Sequence, residues 1–231
     1  MDFIRAFSAR SDGNMSLSCG DTRDSLNSRK AFLGGLGVDW RDLVCAKQAH
    51  GAGVRLIRQS DSGKGSLDWQ DAIADTDAFV TDKKNIPLAV FTADCLAVFL
   101  YDPIRPAIGL IHAGWRSSKE DIVKKTIQLM EKEFKAQAPL IKAFFSPAIR
   151  SCCYEVGEEL EGIFGRAVIK REGRYYLDLA AVNRQGLLDA GLKQENISDP
   201  GTCTSCRNKD FFSFRKEGQP CGRQMAVAVI R

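Results

Sequence analysis

Short apolar runs alternate with polar, glycine-containing or proline-containing stretches along the chain, and this pattern predicts mostly short β-strands. The predicted strands lie within residues 43–58 (two short strands around a glycine-containing turn), 88–91, 96–101, 107–111, 141–146, 175–179 and 225–231. One interruption is unusual, because Asp94 and Cys95 separate two apolar runs that would otherwise be nearly continuous. A carboxylate and a thiol at a strand break are candidates for chemistry as well as for packing.

Two segments have the residue spacing of amphipathic helices. In the first segment, apolar residues recur at helical intervals, at Val123, Ile127, Met130 and Phe134. Ser117 followed by Glu120 has the pattern of a capping box, so we expect a helix over residues 118–134. We expect a second helix over residues 181–190, where Gly191 would end it.

The predicted strands and helices interleave irregularly, and several strand pairs have connections too short for a crossover helix. This order favours an α+β fold, with a mixed sheet or two packed sheets and helices outside, over a doubly wound parallel fold. The sequence contains no internal repeat, low-complexity tract or Pro/Ser-rich linker. We therefore expect a single domain over residues 1–231.

Composition and charge exclude several classes of protein. Apolar residues make up 44% of the chain, as in ordinary globular proteins, and the formal net charge is only +4. Basic residues do not cluster, which argues against nucleic acid as a partner. The sequence lacks both an apolar run long enough to span a membrane and the apolar core of a signal peptide. We expect a cytoplasmic protein, a monomer or small homo-oligomer, whose eight cysteines stay reduced.

The chain contains only two histidines, and each follows a predicted strand and precedes small residues. His50 and His112 are therefore placed to meet a ligand, as is Cys95 at its strand break. If these strands are neighbours, two imidazoles and a thiolate converge, which is a ligand set that suits catalytic Zn²⁺. Taken singly, each histidine is equally compatible with a structural role.

A second interpretation uses the same side chains without a metal. Cys95 would be a nucleophile, His112 or His50 its base, and Asp94 the group that orients the base, as in a cysteine hydrolase. The sequence alone leaves both interpretations open.

The remaining cysteines and arginines give weaker signals. Cys203 and Cys206 form a CxxC pair, but the adjacent Cys152 and Cys153 do not have the spacing of a second zinc-ribbon pair. We expect these four to be ordinary reduced thiols. Candidate contacts for an anion such as phosphate are Arg116, Ser213 and Arg215.

Six blocks of sequence together resemble the laccase-domain proteins, also called polyphenol-oxidase-like proteins or bacterial purine nucleoside phosphorylases. They occur in order from residue 47 to the C-terminus: KQAHGAGV, TADCLAVFLYDP, GLIHAGWRSS, CCYEVGEEL, YYLDLAAVNRQGLLDAG and CTSCRNKDFFSFRKEGQPCGRQMAVAVIR. The resemblance implies mixed β-sheets sandwiched by helices. It also implies a catalytic zinc ion held by His50, Cys95 and His112. We expect Cys95, His112 and Asp94 to be the catalytic residues, with Asp94 beside a ligand to orient it or to shuttle protons.

The activity implied by the resemblance is phosphorolysis of adenosine, inosine, guanosine and methylthioadenosine, with adenosine deamination alongside. Purine nucleosides and phosphate are then the expected partners. Copper is the other metal associated with the family, through a copper-dependent phenol oxidation. This chain departs from the family pattern at Ala49, Ser117 and Arg150, none of which is an expected ligand. The alternatives are an amide hydrolase acting on a cell-wall precursor and a non-enzymatic partner of the envelope machinery.

Overall fold

The apolar runs form the strands of three β-sheets in a computed structural model that describes residues 2–231. The strands are β1 (Phe3–Phe7), β2 (Val44–Cys45), β3 (Val54–Leu56), β4 (Ala78–Thr81), β5 (Leu88–Thr92), β6 (Leu96–Asp102), β7 (Ala107–Ala113), β8 (Lys142–Phe145), β9 (Glu155–Val156), β10 (Val168–Arg171), β11 (Arg174–Leu177), β12 (Ile197–Ser198) and β13 (Gln224–Ile230). The α-helices are α1 (Thr22–Gly35), α2 (Trp115–Lys119), α3 (Ile122–Phe134), α4 (Glu161–Phe164), α5 (Leu179–Asp189) and α6 (Phe214–Glu217).

The two larger sheets are mixed. One has four strands in the order β1-β13-β5-β2, and the other has six in the order β12-β8-β6-β7-β4-β3. Parallel pairs join β2 to β5, β3 to β4 and β12 to β8, while the other pairs in these sheets are antiparallel. A small third sheet has the order β10-β11-β9. The predicted α+β class with mixed sheets is confirmed.

The two larger sheets pack face to face, with helices on their outer faces. Successive residues of β6 point to opposite sides, so Val98 packs in a cluster with Met130 of α3, whereas Phe99 packs with Val90 of β5. A third cluster places Leu33 of α1 against the outer face of the four-stranded sheet. Because both faces of β6 are covered, its sequence is a continuous apolar run and not an alternating one.

The chain crosses from one sheet to the other at the two strand breaks that carry candidate site residues. Only residues 93–95 join β5 of the four-stranded sheet to β6 of the six-stranded sheet, and Asp94 there has a φ of +91°. The longer crossing from β2 to β3 contains His50, with a φ of +59°. Left-handed conformations are uncommon for residues other than glycine, and here they occur where the chain turns sharply between layers.

The structure corrects the first predicted helix. A single helix over residues 118–134 with a Ser117–Glu120 capping box is wrong, because α2 already begins at Trp115 and a break at Asp121 separates it from α3. Asp121 adopts a left-handed conformation with a φ of +58°, which the α-helix cannot accommodate. Ser117 does take part in capping, but its Oγ accepts from the backbone N–H of Gly114 at 2.8 Å.

Other predicted elements are confirmed with small shifts of their ends. The helix expected over residues 181–190 is α5, which begins two residues earlier because the Asp178 side chain accepts a hydrogen bond from the Ala181 N–H. Both strands expected within residues 43–58 exist, although they are short and belong to different sheets. Within residues 2–231, no helix has the length and apolar character needed to span a bilayer.

Candidate metal centre and its cavity

Strand pairing brings the two histidines and Cys95 together at one edge of the six-stranded sheet. Strands β6 and β7 are antiparallel with Leu96 opposite Ala113, so Cys95, directly before β6, lies near His112 at the end of β7. The starts of β3 and β4 reach the same edge of the sheet, and His50 lies in the loop that leads into β3. The three segments therefore converge although they are far apart along the chain.

The three side chains have the geometry of a metal-binding site. One potential ligand atom from each of His50, Cys95 and His112 lies within 4.8 Å of the others. The two imidazole rings meet edge to face, with their centroids 4.9 Å apart. His112 is buried, Cys95 is half-buried and His50 is exposed, so the cluster is closed on the protein side and open on the other.

A buried carboxylate behind the cluster fixes the orientation of His112. The Asp77 Oδ1 atom lies 2.8 Å from His112 Nδ1, which fixes a proton on Nδ1 and makes Nε2 the nitrogen that would bind a metal. The same carboxylate accepts hydrogen bonds from the backbone N–H groups of Ala49, His50 and Gly51. Burial acts to raise the pKa of Asp77, but His112 and the N–H groups of Gly51 and Ala49 lower it below its ordinary value.

The electrostatics of the cluster favour a thiolate at Cys95. Burial opposes ionisation of both Cys95 and His112, but their mutual attraction outweighs it. The pKa of Cys95 is lowered to about 6, and His50 also contributes to this shift. The pKa of His112 is raised to about 9, with Asp77 contributing. In the metal-free protein, the neighbouring cation thus stabilises the anionic form of the sulfur.

Gly114 leaves the space that the cluster needs. A Cβ atom at this position would lie 3.3 Å from Cys95 Sγ and 3.6 Å from a ring carbon of His50. Both distances are at or near van der Waals contact, so a larger side chain would displace the two candidate ligands. Glycine at position 114, two residues after His112, therefore allows the chain to pass close to the cluster.

The donor set fits a zinc ion. Two imidazoles and one thiolate are nitrogen and sulfur ligands that zinc accepts in catalytic sites, where a fourth position stays open. The open side of this cluster faces a cavity. A metal bound here would also stabilise the Cys95 thiolate further.

The cluster lies in the wall of a cavity of about 560 Å³. Its lining is rich in aromatic side chains, namely those of Trp69, Phe91, Trp115, Tyr154 and Phe214. Burial, with a further contribution from the Cys95 thiolate, raises the pKa of Tyr154, so its phenol stays protonated and can donate a hydrogen bond. The volume and lining suit a planar ligand of small-molecule size.

Two of the three predicted anion contacts reach this cavity, and one does not. Arg116 and Arg215 line it, with the Arg116 guanidinium 4.5 Å from the centre of the Trp115 indole. Ser213 is fully buried, and its hydroxyl accepts from the Lys216 N–H at the start of α6. Ser213 is therefore a helix cap and not a lining residue, which corrects the sequence analysis.

Asp94 lines the same cavity, but its carboxylate does not orient an imidazole. One oxygen accepts from the Thr204 hydroxyl at 2.6 Å, and the other accepts from the backbone N–H of Arg215 at 2.7 Å. Asp94 thus anchors the first turn of α6 beside the cavity. The orienting role expected of it belongs to Asp77.

Comparison with known protein families agrees with this architecture. Residues 7–231 match the family described as multi-copper polyphenol oxidoreductase laccase. The chain belongs to this family. Its fold matches the crystal structure of the Bacillus licheniformis hypothetical protein YfiH with a TM-score of 0.95 and 29% identity, covering 99% of this chain and 93% of that one.

Curated relatives of this chain carry names of purine enzymes. The purine nucleoside phosphorylase YlmD of Geobacillus stearothermophilus is 33% identical over 92% of this chain and 81% of its own length. The adenosine deaminase RL5, from an unknown prokaryotic organism, is 32% identical over 86% of this chain and 79% of its own length. The family expected from the sequence is confirmed.

Sequence reasoning missed several residues of the site in this laccase-family chain. Asp77 follows no recognisable motif, and only the pairing of β4 with β7 brings it under His112. Arg223 also lines the cavity, where its guanidinium donates to the carbonyl groups of Cys221 and Gly222. The family's block FFSFR contributes Phe214 and Arg215 to the lining, so the block signalled the site although Ser213 within it was misassigned.

Proposed function

We propose that this chain is a zinc-dependent purine nucleoside phosphorylase. It would convert adenosine, inosine, guanosine and methylthioadenosine to the free base and the corresponding pentose 1-phosphate, with adenosine deamination as a side activity. The observation that carries the proposal is the convergence of His50, Cys95 and His112 at a cavity lined by aromatic and arginine side chains. The names of the relatives support both reactions.

The aromatic side chains of the cavity suit a purine base. Phe91, Trp115 and Tyr154 offer flat apolar surfaces on which a base can stack, and such stacking does not depend on the identity of the base. This tolerance agrees with the range of nucleosides proposed. The protonated Tyr154 hydroxyl adds a donor for a ring nitrogen or a sugar oxygen.

The arginines of the cavity suit phosphate. Arg116 and Arg215 are exposed and line the cavity, and a guanidinium binds phosphate oxygens through charge-assisted hydrogen bonds. The Arg215 side chain donates to the Glu155 carbonyl at 2.7 Å, which fixes its position in the cavity wall. Asp94 supports this position by accepting the Arg215 backbone N–H.

Asp77 and the three residues of the cluster have different roles at the reaction centre. Asp77 holds one proton of His112 on Nδ1, so that Nε2 would release its own proton and present a lone pair when a metal binds. Cys95 supplies the negative charge, while His50 closes the cluster on its exposed side. A zinc ion held by these three side chains would supply a Lewis acid that polarises the bound purine or activates water.

A cysteine hydrolase is the second candidate function. Cys95 could act as the nucleophile and His112 as its base, while Asp77 orients the imidazole. Its substrate would be an amide, such as the peptide of a cell-wall precursor. This activity would survive a strong chelator and be abolished by iodoacetamide, whereas the zinc-dependent activity would be lost on chelation.

A copper-dependent phenol oxidase has less support than either the phosphorylase or the cysteine hydrolase. Copper binds imidazole and thiolate ligands, so the cluster would accept a copper ion. A multicopper centre, however, needs many more histidines than the two that this chain contains.

The test is product analysis of adenosine incubated with the zinc-loaded protein, with and without phosphate. Adenine that forms only with phosphate would establish a phosphorylase. Inosine in both reactions would establish the deaminase activity alone. Adenosine recovered unchanged from both reactions, with zinc content verified, would overturn the proposal. A His112→Ala variant, expected to form neither product, controls for contaminating enzymes.

A further inference from the structure

Four cysteines outside the catalytic cluster meet at a second place on the molecule. They come from two loops that are about fifty residues apart along the chain, at Cys152, Cys153, Cys203 and Cys206, and their sulfur atoms all lie within 4.8 Å of one another. The sequence analysis set the first two aside because of their spacing. In the structure the four nevertheless meet, because β8 and β12 are parallel neighbours and the loops that follow them leave the same edge of the sheet.

The sulfur positions match those of a tetrahedral metal site. Cys206 Sγ lies 3.5 Å from Cys152 Sγ and 3.3 Å from Cys153 Sγ. Zinc–sulfur bonds of about 2.3 Å in a tetrahedron place neighbouring sulfurs about 3.8 Å apart. Small rotations of exposed side chains are enough to reach that spacing, since Cys152 and Cys206 are both exposed.

The cluster lies partly at the surface and has a cationic side chain beside it. Cys203 is buried and Cys153 is half-buried, whereas Cys152 and Cys206 are exposed. The Arg171 side chain, which donates to the Ser151 carbonyl, adds a positive charge next to the Cys152 segment. Four thiolates around a divalent metal ion carry a net negative charge, and the nearby Arg171 guanidinium offsets part of it.

We propose that Cys152, Cys153, Cys203 and Cys206 bind a second, structural zinc ion, independent of the catalytic cluster. Four protein ligands leave no open coordination position, which is the arrangement of structural and not catalytic zinc. On binding, the thiols release their protons and the metal links the two loops. This site goes beyond the proposed function and does not depend on the substrate.

The second zinc would support the wall of the catalytic cavity. Thr204, between two of the ligands, donates to the Asp94 carboxylate, and the backbone N–H of Ile149 donates to the Asp94 carbonyl. Tyr154, directly after Cys153, lines the cavity together with Ile149. The metal would therefore hold in place the residues that position Asp94 and, through it, Arg215.

Zinc content per chain tests the proposal under reducing conditions. The wild-type protein should contain two zinc ions per chain, and a His50→Ala/His112→Ala variant should keep one. A Cys152→Ser/Cys206→Ser variant should also keep one, and its exposed positions lose little apolar burial on substitution. A Cys19→Ser variant, which changes a half-buried thiol outside both clusters, should keep both ions.

Cobalt substitution in the His50→Ala/His112→Ala protein identifies the ligands without relying on activity. The spectrum should show intense thiolate-to-cobalt charge-transfer bands and the d–d bands of a tetrahedral tetrathiolate site. Adding Cys152→Ser and Cys206→Ser to the same protein should abolish these bands.

Three results would overturn the proposal. The first is a histidine variant that binds neither zinc nor cobalt while its four thiols react freely. The second is a freshly purified protein in which the four cysteines form disulfides in place of a metal site. The third is iron at this cluster in place of zinc, which would be visible as a coloured protein.

Discussion

The Nδ1 atom of His112 lies 2.8 Å from the carboxylate of Asp77, and both side chains are almost completely buried. The same carboxylate accepts the backbone N–H groups of residues 49–51, the loop that carries His50. One buried aspartate therefore orients one candidate ligand directly and holds the loop of the other. The positions of the two histidines therefore depend on Asp77, which is not itself a member of the cluster.

Asp77→Asn should weaken zinc binding at the catalytic cluster. The amide lacks the negative charge that stabilises the His112 proton, and it offers fewer acceptor positions for the His50 loop. Loss of the group that is hydrogen-bonded to a metal-binding histidine typically lowers metal affinity about 10–100-fold. Competition with a chromogenic chelator measures the effect. Asp71→Asn, at an exposed position, is the matched control, and equal affinities for the two variants would contradict the role of Asp77.

In the protein without metal, Cys95 should become reactive at an unusually low pH. Since its pKa is lowered to about 6, the thiolate fraction should rise as the pH increases through about 6, and it should already dominate at neutral pH. Alkylation by iodoacetamide, followed by peptide mass spectrometry, gives this profile. His112→Gln should move the midpoint upward, toward the ordinary value of a cysteine. A midpoint unchanged by that substitution would show that His112 does not stabilise the thiolate.

Gly114→Ala should reduce zinc affinity and turnover with little change in thermal stability. The added methyl group would lie 3.3 Å from Cys95 Sγ, closer than is usual, and so would displace that ligand by a few tenths of an ångström. The backbone of Gly114 is extended, with a negative φ that alanine adopts freely. Gly34→Ala is the control, since its Cβ meets nothing within 4 Å. Wild-type affinity and turnover in the Gly114 variant would show that this space is not needed.

Arg116→Gln should raise the KM for phosphate and leave adenosine deamination nearly unchanged. A charge-assisted hydrogen bond contributes about 1.5–3 kcal/mol, so we expect phosphate binding to weaken about tenfold or more. Initial rates at varied phosphate, with inosine formation measured separately, distinguish the two effects. Arg166→Gln changes an exposed arginine outside the cavity and should behave as wild type. An equal loss of both reactions would assign Arg116 to the fold or to the nucleoside instead.

The sequence predicted the parts of the site that carry a local signature. His50, Cys95 and His112 each follow or interrupt an apolar run, and the ends of neighbouring strands meet at a sheet edge. Asp77 has no such signature, because its role arises only when β4 pairs with β7. The cluster of four cysteines also lacks a local signature, because Cys153 and Cys206 approach each other only through the parallel pairing of β8 and β12.

The misplaced helix start and the misassigned serine have a common cause. Ser117 and Ser213 both bind backbone groups at the first turn of short helices, α2 and α6. Short polar side chains serve equally well as caps and as ligand contacts, and only the tertiary structure distinguishes the two uses. Ser117 was expected to cap a helix over residues 118–134 and instead caps one that begins three residues earlier, whereas Ser213 was expected to contact an anion and is a cap.

Adenosine turnover by metal-depleted protein, measured before and after zinc is restored, tests the central claim most directly. We expect no product without metal, and product formation that returns as zinc binds. Cys95→Ser protein treated in the same way should stay inactive, because it lacks the thiolate ligand. Turnover that is the same before and after zinc is restored, with metal content measured in each sample, would contradict the role of His50, Cys95 and His112 as ligands of a catalytic zinc.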